Sequence, residues 1–251
     1  MATVVLVPGA WLGGWAWDDI ETRLRGRGHD PRPVTLTGLG DRADEAGPDV
    51  DLETHIADIA KVVEGEGLRD VILVGHSYGG LPVTGAADRI ADRLSRVVYV
   101  DGGPAPDGTS YVDTMEPKVR EITERHVTEE GEGWKLPMPA WDELESVNGA
   151  STAGLDDDTK AQIRQRATDQ PFATYTRAIH LTNPDREKLP HVLISCSFPL
   201  EQVKAMIASG HPWFEELSGP QWSFAEVPTG HWPMFSAPDE LAEALDAVAR
   251  G

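Results

Sequence analysis

Four short apolar runs divide the chain, and each is almost continuously hydrophobic rather than alternating. These runs are rich in β-branched residues and comprise Thr3–Val7, Val71–Val74, Val97–Val100 and Val192–Ser195. Such runs are typical of strands that are buried on both faces of a parallel sheet. Asp30–Leu36 and Ser223–Val227 are weaker candidates for two further strands. The pattern predicts a mostly parallel central sheet of about six strands.

Helical patterns fall between these runs. The predicted helices are Trp15–Arg27, Leu52–Val63, Leu81–Leu94 and Asp239–Ala249. Because strands and helices alternate along the chain, the sequence favours an α/β fold with right-handed crossovers and helices on both faces of the sheet.

The alternation stops between residues 103 and 189. This stretch is polar and acidic, and its helical patterns lie near Val112–Arg125 and Asp157–Thr168. A connection of this length inside a sheet domain usually has a function. We predict a mostly helical cap, the name used below for residues 103–189, inserted into an α/β core made of residues 1–102 and 190–251.

Composition narrows the classes of function. The 251 residues carry a formal net charge of −20, which excludes a basic nucleic-acid-binding surface and argues against an anionic membrane partner. One cysteine cannot form an intrachain disulfide. The N-terminus has no basic targeting pattern, and no apolar run reaches the roughly 18 residues of a membrane helix. We expect a cytoplasmic protein with a small-molecule substrate, and a homodimer stays open.

A candidate nucleophile lies in the segment from Val71 to Gly80. Gly75-His76-Ser77-Tyr78-Gly79 has the Gly-x-Ser-x-Gly pattern of a nucleophile elbow, in which serine occupies a strained turn between a strand and a helix. The motif alone is weak, but here an apolar strand precedes it and a helix rich in small residues follows it. Small residues are required on both sides of the serine because the strand and the helix nearly touch there.

A serine nucleophile needs a general base, and histidine is the usual choice. The chain has eight histidines: His29, His55, His76, His126, His180, His191, His211 and His231. We favour His231, which follows the last candidate strand and precedes the last helix. His76 is expected to pack beside the elbow. The histidines lack metal-ligand spacing, so neither a metal nor a cofactor is predicted.

These motifs resemble those of the α/β-hydrolase superfamily, within the group of plant hydroxynitrile lyases, methylesterases and their bacterial relatives. The resemblance covers nearly the whole chain and rests on Val7–Trp11, Gly14–Trp17, the elbow and Gly230-His231. Pro8 stands where the family usually has histidine. The resemblance implies an oxyanion hole formed by two backbone N–H groups, those of Ala10 and Tyr78.

The acid that would orient His231 is less evident. Many relatives have aspartate after the strand that here reads Val192–Cys196, but this chain continues with Ser197 and has no aspartate there. Asp101, at the end of the preceding strand, and Glu201 are the alternatives, together with a chain that has no working acid. We favour Asp101, which two glycines follow.

Two positions bear on the reaction. The resemblance implies that the lyases carry threonine at the place of Gly9 and lysine at the place of Trp232, where the lysine stabilises departing cyanide. The sequence therefore favours hydrolysis of a small, apolar or aromatic carboxylic ester by Ser77, His231 and Asp101. Two alternatives stay open: a small-ligand-binding protein, and a cofactor-free acid/base enzyme, including one that acts as a hydroxynitrile lyase does.

Tryptophans are the best candidates for an aromatic pocket. Five lie in loop or cap segments: Trp11, Trp134, Trp141, Trp213 and Trp232. Trp11 and Trp232 are favoured together with Gly9, because these residues adjoin the predicted oxyanion loop and the base.

Overall fold

The computed structural model describes residues 1–210 and 212–251, apart from the side chains of Pro212 and Trp213. Strands in this part are β1 (Thr3–Val7), β2 (Asp30–Pro33), β3 (Val71–His76), β4 (Leu94–Val100), β5 (Lys135–Leu136), β6 (Gln170–Pro171), β7 (His191–Ser195) and β8 (Trp222–Glu226). Six of them form a parallel sheet in the order β2-β1-β3-β4-β7-β8. The remaining pair, β5 and β6, is antiparallel. The predicted six-stranded parallel sheet is confirmed.

The centre of the sheet is buried on both faces. All six residues of β3 are buried, and successive side chains of a strand point to opposite faces. In the ladder, Leu73 lies opposite Val5 of β1 and Val97 of β4. The continuous apolar runs in the sequence therefore reflect a sheet that is covered on both sides. The predicted strand Asp30–Leu36 is shorter in the structure and ends at Pro33.

Helices surround this sheet. In the described residues they are α1 (Asp18–Gly26), α2 (Leu52–Gly65), α3 (Gly80–Arg89), α4 (Pro117–Glu129), α5 (Trp141–Ser146), α6 (Asp157–Arg166), α7 (Ala173–Thr176), α8 (Leu200–Ala208), α9 (Pro233–Ser236) and α10 (Pro238–Arg250). Helix α1 packs against α10, and α2 packs against α3. The predicted helix Leu81–Leu94 is too long: α3 ends at Arg89, and Leu94 instead begins β4, where it pairs with Val71.

The cap, all of which the structure describes, contributes no strand to the six-stranded sheet. It contains α4 to α7 and the β5–β6 pair. The division into a core and an inserted cap domain stays a prediction.

Within the described residues, no helix combines the length and the hydrophobicity that crossing a bilayer requires. The cytoplasmic location also stays a prediction.

Candidate active site

Ser77 lies at the junction of β3 and α3 in a left-handed backbone conformation, with φ of 51°. The glycines on either side leave room for this sharp turn. A Cβ at Gly75 would lie 2.6 Å from the carbonyl oxygen of Gly79, and a Cβ at Gly79 would lie 2.5 Å from the carbonyl oxygen of Pro8. Any larger residue would push the strand, the helix and the first loop apart. The local structure is that of a nucleophile elbow.

His231 faces the elbow from the loop between β8 and α9. Its Nε2 lies 2.8 Å from Ser77 Oγ, a distance that suits transfer of the hydroxyl proton. The imidazole is largely buried, with 18% of the side chain exposed. The main-chain N–H of His231 donates to the carbonyl oxygen of Ser151 in the cap at 2.7 Å. His231 is thus held at its ring by the contact with Ser77 and at its main chain by the hydrogen bond to the cap.

Of the two candidate acids, Asp101 is the one that the structure brings to His231. Asp101 follows β4 with φ of 45°, and its Oδ2 lies 2.6 Å from His231 Nδ1. Glu201 lies on α8, where its exposed carboxylate pairs with Lys204 Nζ at 2.9 Å. The glycine after the aspartate is required, because a Cβ at Gly102 would lie 2.7 Å from the carbonyl oxygen of Ser77.

The Asp101 carboxylate is held by the loop that follows β7. Its Oδ1 accepts hydrogen bonds from Cys196 N at 2.9 Å and Ser197 N at 2.8 Å, and Ser197 Oγ donates to Oδ2 at 2.6 Å. Burial disfavours the charged form of Asp101, but the hydrogen bonds from His231 and Ser197 outweigh it, and the net effect lowers the pKa of the carboxyl. The group is an anion at neutral pH.

His76 packs beside the elbow, as the sequence suggests. Its Nε2 lies 2.7 Å from the carbonyl oxygen of His231, so this nitrogen carries the proton and donates it. Burial, followed by the charge of the nearby His231 ring, lowers the pKa of His76 to about 3. The neutral ring supports the His231 loop and leaves the hydroxyl of Ser77 to His231.

The predicted oxyanion loop lies directly against the elbow. A Cβ at Gly9 would lie 2.7 Å from His76 Nδ1 and 3.2 Å from Ser77 Cβ, so position 9 has no space for a side chain. Ala10 follows in a buried turn. Tyr78 is the second residue of the helical turn Ser77–Gly79, and backbone N–H groups in the first turn of a helix have no partner within the helix. Both predicted oxyanion donors therefore belong to segments that adjoin Ser77.

The tryptophans that the sequence suggests for an aromatic pocket differ in their positions relative to the site. The Trp232 ring is 3% exposed and packs edge-on between His231 and Trp141, with both centroid distances 5.0 Å. Trp11 is 9% exposed, and its Nε1 donates to Leu136 O at 3.0 Å. Both rings adjoin the site and offer little open surface. The Trp134 ring lies beside Lys135 Nζ, and the side chain of Trp213 lies outside the described residues, as does His211.

The sequence interpretation missed three residues at the site. Tyr111 of the cap interacts through its hydroxyl with the side chain of Ser77, and its ring lies 5.5 Å from that of Tyr78. Gln170, also in the cap, is fully buried and accepts the main-chain N–H of Trp11 through Oε1 at 3.1 Å. Ser197 is the third. Each reaches the site from a distant part of the sequence, and no local motif marks it.

Known proteins resemble this chain along its length. The sequence model of the alpha/beta hydrolase family matches residues 4–244. A carbendazim hydrolyzing esterase from Nocardioides sp. (strain SG-4G) is 35% identical, over 99% of this chain and 100% of that protein. Methylesterase 9 from Arabidopsis thaliana is 28% identical, over 99% of this chain and 98% of its own. Among solved structures, an extracellular alpha/beta-hydrolase from a Paenibacillus species has a TM-score of 0.81 at 21% identity, with 100% of both chains covered.

These likenesses confirm the expected fold and the resemblance to methylesterases and their bacterial relatives. The two relatives named as esterases also bear out the prediction of a carboxylic ester hydrolase. Because the family match extends from β1 into α10 and so includes every strand of the sheet, the chain belongs to the alpha/beta hydrolase family.

Proposed function

We propose that Ser77, His231 and Asp101 act as a catalytic triad that hydrolyses a carboxylic ester of a small, apolar or aromatic molecule. The observation that carries this proposal is the continuous hydrogen-bonded line from Ser77 Oγ to His231 Nε2, at 2.8 Å, and from His231 Nδ1 to Asp101 Oδ2, at 2.6 Å. This is the order of contacts that a serine nucleophile, its base and the orienting acid require.

In the first half of the reaction, Ser77 Oγ attacks the ester carbonyl carbon while His231 Nε2 takes the hydroxyl proton. The imidazolium that forms is stabilised by the Asp101 carboxylate at its other nitrogen. His231 then returns the proton to the departing alkoxide, and the acyl group stays on Ser77. In the second half, water attacks the acyl carbon while His231 Nε2 takes a proton from it. The bond between the acyl carbon and Ser77 Oγ then breaks, His231 returns the proton to Ser77 Oγ, and the acid product leaves.

Negative charge on the carbonyl oxygen is stabilised by the backbone N–H groups of Ala10 and Tyr78. Support comes from the close contact of the Gly9 loop with Ser77 and from the place of Tyr78 at the start of a helical turn. A donor of this kind is typically worth about 3–4 kcal/mol of transition-state stabilisation. Since Gly9 has no side chain, the loop that carries Ala10 can approach Ser77 closely: a Cβ at position 9 would lie 3.2 Å from Ser77 Cβ.

The aromatic residues around Ser77 support an apolar or aromatic substrate. The ring of Tyr111, whose hydroxyl interacts with Ser77, lies 4.5 Å from that of Tyr175 and 5.5 Å from that of Tyr78. Trp232 flanks His231 on another side. Carbendazim belongs in the first substrate panel, because a relative 35% identical to this chain is named for hydrolysing it.

The test is release of 4-nitrophenol from 4-nitrophenyl acetate, followed in the pre-steady state. We expect a burst that corresponds to one acyl group per chain. Ser77→Ala and His231→Ala should abolish the burst and the turnover, while the thermal unfolding midpoint stays nearly unchanged. Ser209→Ala and His180→Ala, at exposed positions far from the site in sequence, are matched controls that should behave as the wild type.

Turnover that survives in Ser77→Ala would contradict the proposal. A folded wild type that binds aromatic esters without cleaving them would favour the ligand-binding alternative. Turnover that needs His231 but not Ser77 would favour cofactor-free acid/base chemistry.

A further inference from the structure

Asp101 and the residues that donate hydrogen bonds to its carboxylate follow two neighbouring strands of the sheet. Asp101 follows β4. Within the described residues, three donors besides His231 contact its carboxylate, and they come from Cys196 and Ser197, directly after β7. Two are main-chain N–H groups, which most substitutions at these positions would leave in place. The third is the hydroxyl of Ser197, and it depends on the identity of the side chain.

The Ser197 hydroxyl contacts the carboxylate oxygen that faces the base. Ser197 Oγ lies 2.6 Å from Asp101 Oδ2, and the same Oδ2 lies 2.6 Å from His231 Nδ1. The Asp101 side chain is 5% exposed, so water has little access to replace this donor. A hydrogen bond to a buried charged group is stronger than one between neutral groups and also fixes direction.

We propose that Ser197 is a positioning residue of the enzyme: its hydroxyl holds the Asp101 carboxylate against His231 Nδ1 and moderates the charge that this carboxylate presents to the imidazole. The inference rests on the proposed triad. Ser197 contacts the Asp101 carboxylate and acts through it.

The hydroxyl has two consequences for catalysis. By fixing Oδ2, it keeps the imidazole oriented for proton transfer, and this affects turnover more than substrate binding. By donating to Oδ2, it withdraws part of the negative charge that would otherwise stabilise the protonated imidazole. Without the hydroxyl, the full charge of Oδ2 acts on the imidazole, so we expect the acid limb of the activity profile to move to higher pH. Among the described residues, the other titratable groups that face this site are His76 on β3, Cys196 after β7 and Tyr111 in the cap.

The first experiment compares Ser197→Ala, Ser197→Thr and the matched control Ser209→Ala with 4-nitrophenyl acetate as the probe. For Ser197→Ala we expect kcat to fall about tenfold, KM to change less than about twofold, and the acid limb of kcat/KM to move to higher pH. Ser197→Thr, which keeps a hydroxyl, should recover most of the lost turnover. Ser209→Ala should match the wild type in all three readouts.

A second pair of variants covers the case in which Ser197→Ala folds poorly. Asp101→Gly removes the acid, and glycine accepts the positive φ at this position. The double variant Asp101→Gly with Ser197→Asp moves the acid to position 197. Its carboxylate oxygens lie one bond farther from the main chain than the Ser197 hydroxyl, in the direction of the place that the Asp101 carboxylate leaves. We expect kcat of the double variant to be at least about tenfold higher than kcat of Asp101→Gly.

The outcomes separate this inference from the proposed function. If Ser77→Ala abolishes turnover but Ser197→Ala leaves both kcat and the acid limb unchanged, the role of Ser197 is refuted and the triad stands. A double variant no faster than Asp101→Gly also refutes it. If Ser77→Ala keeps its turnover, the triad itself fails. Loss of turnover in Ser197→Ala with recovery in Ser197→Thr supports the inference.

Discussion

The main-chain N–H of His231 donates to the carbonyl oxygen of Ser151 at 2.7 Å, so the base of the proposed triad is anchored to the cap. The neighbouring N–H of Gly230 donates to Ala153 O at 3.1 Å. On the other side of Ser77, the cap accepts the N–H of Trp11 through Gln170. Both loops that would act on the substrate are therefore held by the same stretch of chain, residues 103–189, which is part of the scaffold of the proposed site.

This anchoring makes the buried side chain of Gln170 a specific target. Gln170→Leu leaves the buried N–H of Trp11 without its acceptor, which typically costs about 1–3 kcal/mol of unfolding free energy. We also expect slower ester turnover, because the loop that carries Ala10 loses its anchor. Urea unfolding and 4-nitrophenyl acetate kinetics measure the two effects. Gln165→Leu, at an exposed position of α6, is the matched control, and equal stability of the two variants would contradict the expectation.

The choice of acid can be tested with two isosteric variants. Asp101→Asn should lower turnover at least about a hundredfold, because the amide neither stabilises the imidazolium nor fixes the correct tautomer of His231. Glu201→Gln should change turnover less than about threefold, because Glu201 is exposed and paired with Lys204. Steady-state kinetics decide between them, and a larger loss in Glu201→Gln would reverse the assignment.

The enzyme should cleave cyanohydrins poorly. Trp232 is a buried, uncharged ring next to His231 and offers no cation for departing cyanide. Position 9 also lacks space for the threonine of the lyases, since even a Cβ there would lie 2.7 Å from His76 Nδ1. Cyanide release from mandelonitrile, measured beside ester cleavage at equal enzyme concentration, tests this. Comparable rates for the two reactions would contradict it.

Acidification should destabilise the fold through its buried histidines. Burial lowers the pKa of His55 to about 4, and that of His191 likewise to about 4. Between about pH 6.5 and 4 the unfolded chain therefore binds more protons than the folded one, so stability is lost as the pH falls through this window. Each such group contributes at most about 1.4 kcal/mol per pH unit.

His55→Gln should make this loss shallower by one such contribution. The free energy of urea unfolding at pH 7, 6 and 5 measures the slope for the wild type and for the variant. His180→Gln, at an exposed position, is the control and should keep the wild-type slope. A slope in His55→Gln that equals that of the wild type would rule out His55 as a source of the acid sensitivity.

The parts of the fold that the sequence predicts well have local causes. The bounds of β1 agree with Thr3–Val7 because an apolar run ends at Pro8, and the elbow follows from glycines that only a tight turn requires. Asp101 could be favoured because it ends a buried strand and precedes two glycines. In each case the signal and the structure lie within a few residues of each other.

Other features depend on contacts between distant segments. Leu94 continues a helical pattern in the sequence, but its pairing with Val71 places it in a strand. Tyr111, Gln170 and Ser197 are unremarkable in their local sequence and reach the site only when the cap and the end of β7 pack around Ser77. Hydrophobic periodicity carries no information about such contacts.

Most of the bonds by which the cap holds the two loops end on main-chain oxygens: those of Ser151, Ala153 and Leu136 in the cap. A carbonyl oxygen is present whatever side chain the residue carries. Side chains at these three positions of the cap can therefore change without loss of the bonds that hold the proposed base and the proposed oxyanion loop. Gln170 is the exception, because its side chain accepts the bond from Trp11 and a substitution there would remove the bond.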